Sequence, residues 1–364
     1  MLEVIGYLRQ HGLDRLQAEY AIKVNRHTRH PHLVMLKYDQ IRSPMSERIV
    51  QECRGLILDE AREWAIVSFP YLKFFNYGEG AAAPIDWSTA RVLEKLDGSL
   101  MTLYFYDGEW HVASSGVPDA CGTANGCAKL MRELFWDTWN ELAYRLPQDT
   151  GFVYMFELMT RHNRVIVRHE KARLELHGVR DMRTYVEVDP EPFALLNGWE
   201  CVRSYPLTTL DEILEAASAL DPLHNEGFVV RDAAFNRIKV KSPHYVALHH
   251  MTDGWSPKRM LEKIVLPNEN QEFLTYFPEY EADYLEVKGR FEQLVAEAET
   301  FYRTVQGIES QKEFALAVKD TKFGSALFAV RAGKAPSIDE FYRNMVIDRL
   351  MQLLGLKDVP RPEE

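Results

Sequence analysis

Residues 90–115 read ARVLEKLDGSLMTLYFYDGEWHVASS, and this stretch decides the fold of the first half of the chain. Runs rich in β-branched and aromatic residues, several with period-two alternation, lie on both sides of Leu96-Asp97-Gly98 and predict strands. Between LMTLYFY and EWHVAS stands Asp107-Gly108, a two-residue hairpin signal, because both residue types tolerate positive φ. Working outward, RGLILDE and WAIVSFP upstream have the same strand character. So do GFVYMFELM, RVIVRHE, ARLELHGVRD, GFVVRD and RIKVKS downstream, the last two flanking a turn at Ala233–Asn236. Helices are expected at the N-terminal MLEVIGYLRQHGLDRLQAEY, around residues 124–147, and over 209–219, where a Thr or Asp caps the start. Near Trp255 the character changes. EYEADYLEVKGRFEQLVAEAETFYRTVQ and SIDEFYRNMVIDRLMQLL each read as one amphipathic helical segment. The expectation is an α+β domain of antiparallel sheets with flanking helices over 1–254, then an all-helical C-terminal domain over 255–364. No repeat or low-complexity segment interrupts it.

Composition narrows the function classes. The 364 residues suggest two or three domains, and 46% hydrophobic with 12% aromatic residues suffices for substantial cores. A formal net charge of -11 excludes a general nucleic-acid coat, which holds phosphate by bulk positive charge. Any nucleic acid must be met by lysine and arginine gathered in a local groove. No run approaches the roughly 20 apolar residues of a membrane span. The start lacks the basic, apolar and small-residue segments of a signal peptide. The expectation is a soluble cytoplasmic protein with no membrane partner. Cys53, Cys121, Cys127 and Cys201 form no CxxC pair and read as free thiols.

The sharpest motif is Glu94-Lys95-Leu96-Asp97-Gly98-Ser99. A K-x-D-G string alone is weak, since chance yields it in about one chain in ten of this length. Its force is the order of what surrounds it: Glu52-Cys53-Arg54-Gly55 and Lys73-Phe74-Phe75-Asn76 before; Phe156-Glu157-Leu158, Asn163-Arg164, Glu226-Gly227-Phe228-Val229 and Lys239-Val240-Lys241 after. Alternation sends Lys239 and Lys241 to one sheet face and Val240 to the other. Isolated, such a pair is usually a solvated strand face.

The ordered series resembles that of the covalent nucleotidyltransferases: DNA ligases, RNA ligases and mRNA capping enzymes. The strings ECRG, KFFN, EKLDGS, EGFV and KVKSPHYVALH, with Asn163-Arg164, closely resemble the first class of RNA ligase from T-even phages, which seals broken tRNA anticodon loops. The likeness covers about residues 1–255; the tail is similar only in size and helical character. It implies a nucleotidyltransferase (ATP-grasp-like ligase) fold and an ATP-dependent RNA ligase acting through lysyl-AMP on Lys95. A lysine amine attacks phosphorus only when unprotonated, and nearby cations and burial favour that form. Lys239, Lys241, Lys73 and a metal would supply the positive field. The resemblance further implies that Glu157 bonds the ribose, Phe75 stacks on adenine, Arg54 contacts phosphate and Tyr245 belongs to the nucleotide pocket. Asp97, Glu157 and Glu226 become ligands for Mg2+ or Mn2+. Gly98 is read as serving the turn that presents Lys95. The implied partners are RNA with 5′-phosphate and 3′-hydroxyl ends, tRNA anticodon loops among them, and an upstream polynucleotide kinase-phosphatase.

One position departs from the pattern. The family carries a further lysine in a T/S-K-G context, and Ser115 stands there in Ser114-Ser115-Gly116. A hydroxyl can bond phosphate but brings no charge. Arg26, His27, Arg29, His30, Lys37 and Tyr38 form a locally basic stretch that suits RNA ends as well as it suits a solvated loop. The histidines show no H-E-x-x-H or comparable spacing, so no zinc is assigned, and no P-loop string occurs. Two competing readings remain: a DNA ligase or capping enzyme, against which the helical tail speaks because those carry an OB-fold barrel, and a noncatalytic RNA-end-binding protein, against which the intact polar set speaks.

Overall fold

The computed structural model describes residues 2–40, 42–124, 128–252, 256–265 and 280–357. Cys127 and Trp255 lie outside them. The chain divides into two units, Met1–Ala247 and Leu248–Arg361.

The first unit is α+β and holds three sheets. The first sheet is a meander of β1 (Ile22–Arg26), β2 (Leu33–Tyr38), β3 (Arg54–Asp59) and β4 (Ala65–Ser68). The second is ordered β11-β10-β9-β7-β8, from β7 (Ser99–Tyr106), β8 (Glu109–Ser114), β9 (Phe152–Met159), β10 (Arg173–Asp181) and β11 (Glu187–Val188), with β12 (Glu200–Cys201) beside β10. The third is ordered β13-β6-β14-β15-β5: β13 (Ser204–Tyr205), β6 (Arg91–Lys95), β14 (Gly227–Arg231), β15 (Arg237–Lys241) and β5 (Phe75–Asn76). Pairing is antiparallel except for two short parallel contacts, β10 with β12 and β15 with β5, so the sheets are mixed where the sequence predicts antiparallel ones.

Period-two alternation places the core. On β9, Tyr154, Phe156 and Leu158 pack with Leu134, Phe135 and Trp139 of the helix Met131–Glu141. Val153 and Met155, on the opposite face, meet Leu33, Met35 and Ile57 of the first sheet. In the third sheet Val92, Phe228, Val230, Ile238 and Val240 pack against Ile213 and Ala217 of the helix Leu210–Ser218. Thr209 caps that helix by accepting from Glu212 N, as the sequence predicts. Asp107 and Gly108 turn β7 into β8 at φ 50° and 83°.

In the first unit three expectations of secondary structure fail locally. The N-terminal helix is two, Glu3–His11 and Leu13–Tyr20, separated at Gly12 with φ 79°. The helix expected around 124–147 is confined to Met131–Glu141. The run RVIVRHE is not a strand, because its backbone is engaged elsewhere, as described below.

The second unit is helical over its described residues. In the helix Glu281–Val305, Tyr284, Val287, Phe291, Leu294 and Ala298 recur at three- and four-residue intervals and are buried. Met260, Leu261 and Ile264 are buried on the helix Pro257–Val265. SIDEFYRNMVIDRLMQLL forms two helices, Ile338–Arg343 and Ile347–Leu353, rather than one. No helix of the described residues is long and apolar enough to cross a membrane.

Candidate active site

The third sheet aligns its cations by register. Lys95 closes β6, and Gly227 of β14 pairs with both Lys95 and Lys241. Two residues back, Val229 pairs with Leu93 and Lys239. Residues two apart share a face, so Lys95, Lys239 and Lys241 lie on the face opposite the apolar core. Gly227 has φ 150°, and a Cβ there would collide with the Val240 carbonyl oxygen. The close approach of β14 to β15 therefore requires glycine.

Glu226, just before β14, joins the row. Its Oε2 is 2.5 Å from Lys95 Nζ and its Oε1 2.9 Å from Lys241 Nζ. Burial alone would push this carboxyl up, but the two ammoniums more than offset it and hold it below its ordinary value. Lys239 has no carboxylate partner among the described residues. Burial, then the charges of Arg54, Lys95, Lys73 and Lys241, push its amine down to about 7.

These strands form one wall of a cavity of about 260 Å³; Glu157, His177 and Leu100 from the second sheet form the other, and Arg54, Tyr71, Phe74 and Arg237 line it too. His177 is there because of a β-bulge: the β9–β10 register slips between Leu176 and Gly178, leaving His177 as the extra residue. A Cβ at Gly178 would overlap the Tyr71 side chain. Tyr71 hydroxyl sits 2.9 Å from His177 Nδ1, and Nε2 is 3.5 Å from Glu157 Oε2, too long for a hydrogen bond. Nε2 is buried with no hydrogen-bond partner among the described residues.

The turn carrying Lys95 is fixed from a distance. Asp97 is 4% exposed. Its Oδ2 accepts from Ile166 N at 2.9 Å and Val167 N at 2.6 Å, and its Oδ1 accepts from Tyr245 hydroxyl at 2.8 Å. Asp97, assigned to the metal, thus accepts from the backbone of the very run predicted to be a strand and does not line the cavity. Tyr245, assigned to the nucleotide pocket, is 1% exposed and holds Asp97 from behind. Gly98 serves close approach, since a Cβ would collide with the Leu158 carbonyl oxygen of β9, and its φ is not positive. Asn163 Nδ2 donates to Leu158 O at 2.7 Å and Ser99 Oγ at 3.0 Å, closing the turn.

The remaining predicted residues divide. Glu157 and Arg54 line the cavity, Arg54 with its guanidinium 4.5 Å from the Phe74 ring. Phe75 does not line it: it is 6% exposed, on the side where Lys73 Nζ lies 5.4 Å from its ring. Its neighbour Phe74 takes the cavity side, 4.9 Å from Lys239 Nζ. The sequence places one of the two phenylalanines in the core, and it is Phe75, which pairs with the core residue Ile238 of β15. Lys73 lies outside the lining and acts on Lys239 through its charge. Of the N-terminal basic stretch, His27 and Tyr38 are buried, Arg26 pairs with Glu60 at 2.6 Å and Arg29 with Glu109 at 3.2 Å. Residues missed from sequence are Tyr71, Phe74, His177 and Arg237. Only Phe74 had a signal, its place beside Phe75.

Among the described residues no three His, Cys, Asp or Glu side chains gather as a metal cage. Asp97 accepts three hydrogen bonds from the protein and Glu226 is shared by two lysines, so of the three carboxylates assigned to the metal Glu157 is the one on the cavity lining, which also includes Glu94. That donor set fits an Mg2+ or Mn2+ carried in on nucleotide phosphates, an ion that keeps most of its waters and needs one or two protein carboxylates.

The sequence model of one family, described as RNA ligase, matches residues 52–245. A putative bifunctional polynucleotide kinase/RNA ligase of Autographa californica nuclear polyhedrosis virus is 30% identical over 76% of this chain and 42% of its own length. An RNA ligase of Rhodothermus phage RM378 is 26% identical over 82% of this chain and 85% of its own. The chain thus spans about two fifths of the viral protein and most of the phage one. Among solved structures, an archaeal ATP-dependent RNA ligase aligns with 92% of this chain and 91% of its own at 13% identity and a TM-score of 0.43.

Proposed function

The chain belongs to the RNA ligase family, and on that premise we propose that it is an ATP-dependent RNA ligase that takes AMP onto Lys95 and joins 5′-phosphate to 3′-hydroxyl ends. The observation that carries this reading is Lys95 Nζ at a cavity wall, held by Glu226 in one row with Lys241, with Lys239 one step along the same face.

In the first step the Lys95 amine, having given up its ammonium proton, attacks the α-phosphorus of ATP. An N–P bond forms, the P–O bond to pyrophosphate breaks, and pyrophosphate carries the electron pair away. Glu226 Oε2 already holds Lys95, so it orients the amine and is the first acceptor for the proton on its way to solvent. Lys239, Lys241 and Arg54 offset the charge of the phosphates. Phe74 offers a ring face for the base, and Glu157 an acceptor for ribose hydroxyls. A divalent ion bound with the nucleotide would be held by the phosphates and Glu157, adding charge neutralisation. In the second step an RNA 5′-phosphate oxygen displaces Lys95 from AMP. In the third a 3′-hydroxyl attacks that 5′-phosphate, the phosphodiester forms and AMP departs. The protein's work is alignment and charge compensation.

Broken tRNA anticodon loops are the proposed substrate, on the strength of the motif resemblance. Since 5′-hydroxyl ends are inert here, a kinase-phosphatase is the proposed upstream partner; the viral relative's name, a bifunctional kinase/ligase, supports this. A cytoplasmic setting agrees with free Cys53, Cys121 and Cys201. Labelled ATP supplies the test. A protein-AMP band is expected, absent in Lys95→Ala, together with circularisation of 5′-phosphorylated single-stranded RNA. Absence of the band with both magnesium and manganese, or sealing restricted to nicked duplex DNA, overturns the proposal.

A further inference from the structure

Lys37 and Arg54 are cations placed directly opposite one another on neighbouring strands. They are Cα partners only because the β2–β3 register slips at this point. Leu36 faces Leu56, yet Lys37 faces Arg54, so Gly55 is the extra residue of a bulge, with φ 79°. Without it Arg54 would face Tyr38, and the pleat would turn it from Lys37. The bulge therefore brings like charges together, an arrangement that destabilises a ladder unless something anionic lies between them.

Glu157 acts on Arg54 from across the cavity, but among the described residues no carboxylate pairs with Lys37. Lys37 makes no hydrogen bond or ion pair among the described residues, although it is partly buried. Lys23, its partner on β1, is satisfied by Asp39 at 3.0 Å. The end of β8 completes the enclosure: a Cβ on Gly116 would lie 3.0 Å from Lys37 Nζ, and one on Gly55 would lie 3.7 Å from the Ser115 carbonyl oxygen. Ser115 itself is exposed and uncharged. Burial, with Lys23 and Arg54, holds the Lys37 amine below its ordinary value, which an arriving anion would reverse. Arg54 lines the cavity, and Lys37 is its cross-strand neighbour just outside that lining.

We infer that Lys37, paired with Arg54 across the Gly55 bulge, is a binding residue for a phosphate oxyanion at the cavity rim. This rests on the proposed ligase reading for its reaction, but not for its binding test. The oxyanion has two sources: the outer phosphates of the nucleotide, or the 5′-phosphate of an RNA end.

The probes are inorganic tripolyphosphate and a 5′-phosphorylated oligoribonucleotide beside its 5′-hydroxyl twin, titrated into the full chain without catalysis. Lys37→Met keeps the stem that packs on Gly116 and removes only the charge. It should weaken tripolyphosphate, or the preference for the 5′-phosphate, about tenfold, the size of one lost charge-assisted contact. Lys37→Arg, or Ser115→Lys in the Lys37→Met background, should restore most of it. Loss on tripolyphosphate assigns the nucleotide, and loss on RNA assigns the end. Lys37→Met should also unfold at a higher temperature than the parent, since it removes an uncompensated cation; a purely structural lysine would give the opposite. Unchanged binding of both probes overturns the inference. A ligase that fails to form lysyl-AMP yet keeps these losses sinks only the proposed reaction.

Discussion

Tyr245 donates its hydroxyl to Asp97 Oδ1 from a fully buried position 148 residues away, and that bond sits directly behind the turn that ends at Ser99. The motif aspartate is thus a cornerstone of the loop, tied on its other oxygen to two backbone N–H groups. Tyr245→Phe should lose about 2 kcal/mol of stability, the value of a hydrogen bond to a charged acceptor. Asp97→Ala, which orphans both N–H groups as well, should lose more. Urea unfolding measures both. If Asp97→Ala leaves stability intact but raises the magnesium requirement for lysyl-AMP, Asp97 is a metal ligand after all.

Adjacent phenylalanines should behave oppositely. Phe74→Ala is expected to weaken ATP binding with little change in melting temperature, because its ring lines the cavity. Phe75→Ala should cost about 3 kcal/mol of stability through the void it leaves. Thermal melts alongside nucleotide titrations separate the two, and equal behaviour would refute the assignment of faces.

Lys239 ties nucleotide binding to proton uptake. Its folded pKa of about 7 lies below the ordinary 10.5. Between those values the unfolded chain carries a proton that the native one lacks, so this group makes stability rise as pH increases across the window. Phosphates arriving beside the amine favour its charged form, and binding near pH 8 should take up a proton. Calorimetry in buffers of different ionisation enthalpy counts it; Lys239→Met should abolish the uptake and flatten the stability rise. An unchanged proton count in that variant removes Lys239 from the phosphate site.

Glu226 has the reverse sign. Its carboxyl is held below 4.5 by Lys95 and Lys241, so its stabilisation is present above that pH and disappears as acid carries the solution through the lower, folded value. Glu226→Gln should abolish lysyl-AMP formation. It should also cost about 3 kcal/mol at pH 7, since two cations lose their buried counter-charge, and the penalty should shrink as falling pH protonates the parent carboxyl. Gel assay at pH 7 and denaturation over a descending pH series provide the check; a penalty independent of pH would point to packing instead of charge.

What was readable in the sequence was what neighbours dictate. Asp107-Gly108, the Thr209 cap and the alternation of Lys239-Val240-Lys241 are local codes, and each has its predicted geometry. The misreadings have long-range causes. Ile166 and Val167 look like strand residues, but their N–H groups are claimed by a carboxylate 69 and 70 residues earlier. His177 enters the cavity through a bulge that no composition announces. The choice between Phe74 and Phe75 depended on the register in which β5 meets β15, which pairs Phe75 with the core residue Ile238, and alternation alone is symmetric on that point.

Gly98 has one more implication. Because β9 presses its backbone against that glycine, the position of the amine is inherited from the second sheet. The attacking atom and the core around Phe156 therefore share one scaffold. Mutations in that distant hydrophobic layer should erode turnover before they erode solubility, and selection for activity alone would police packing far from any substrate.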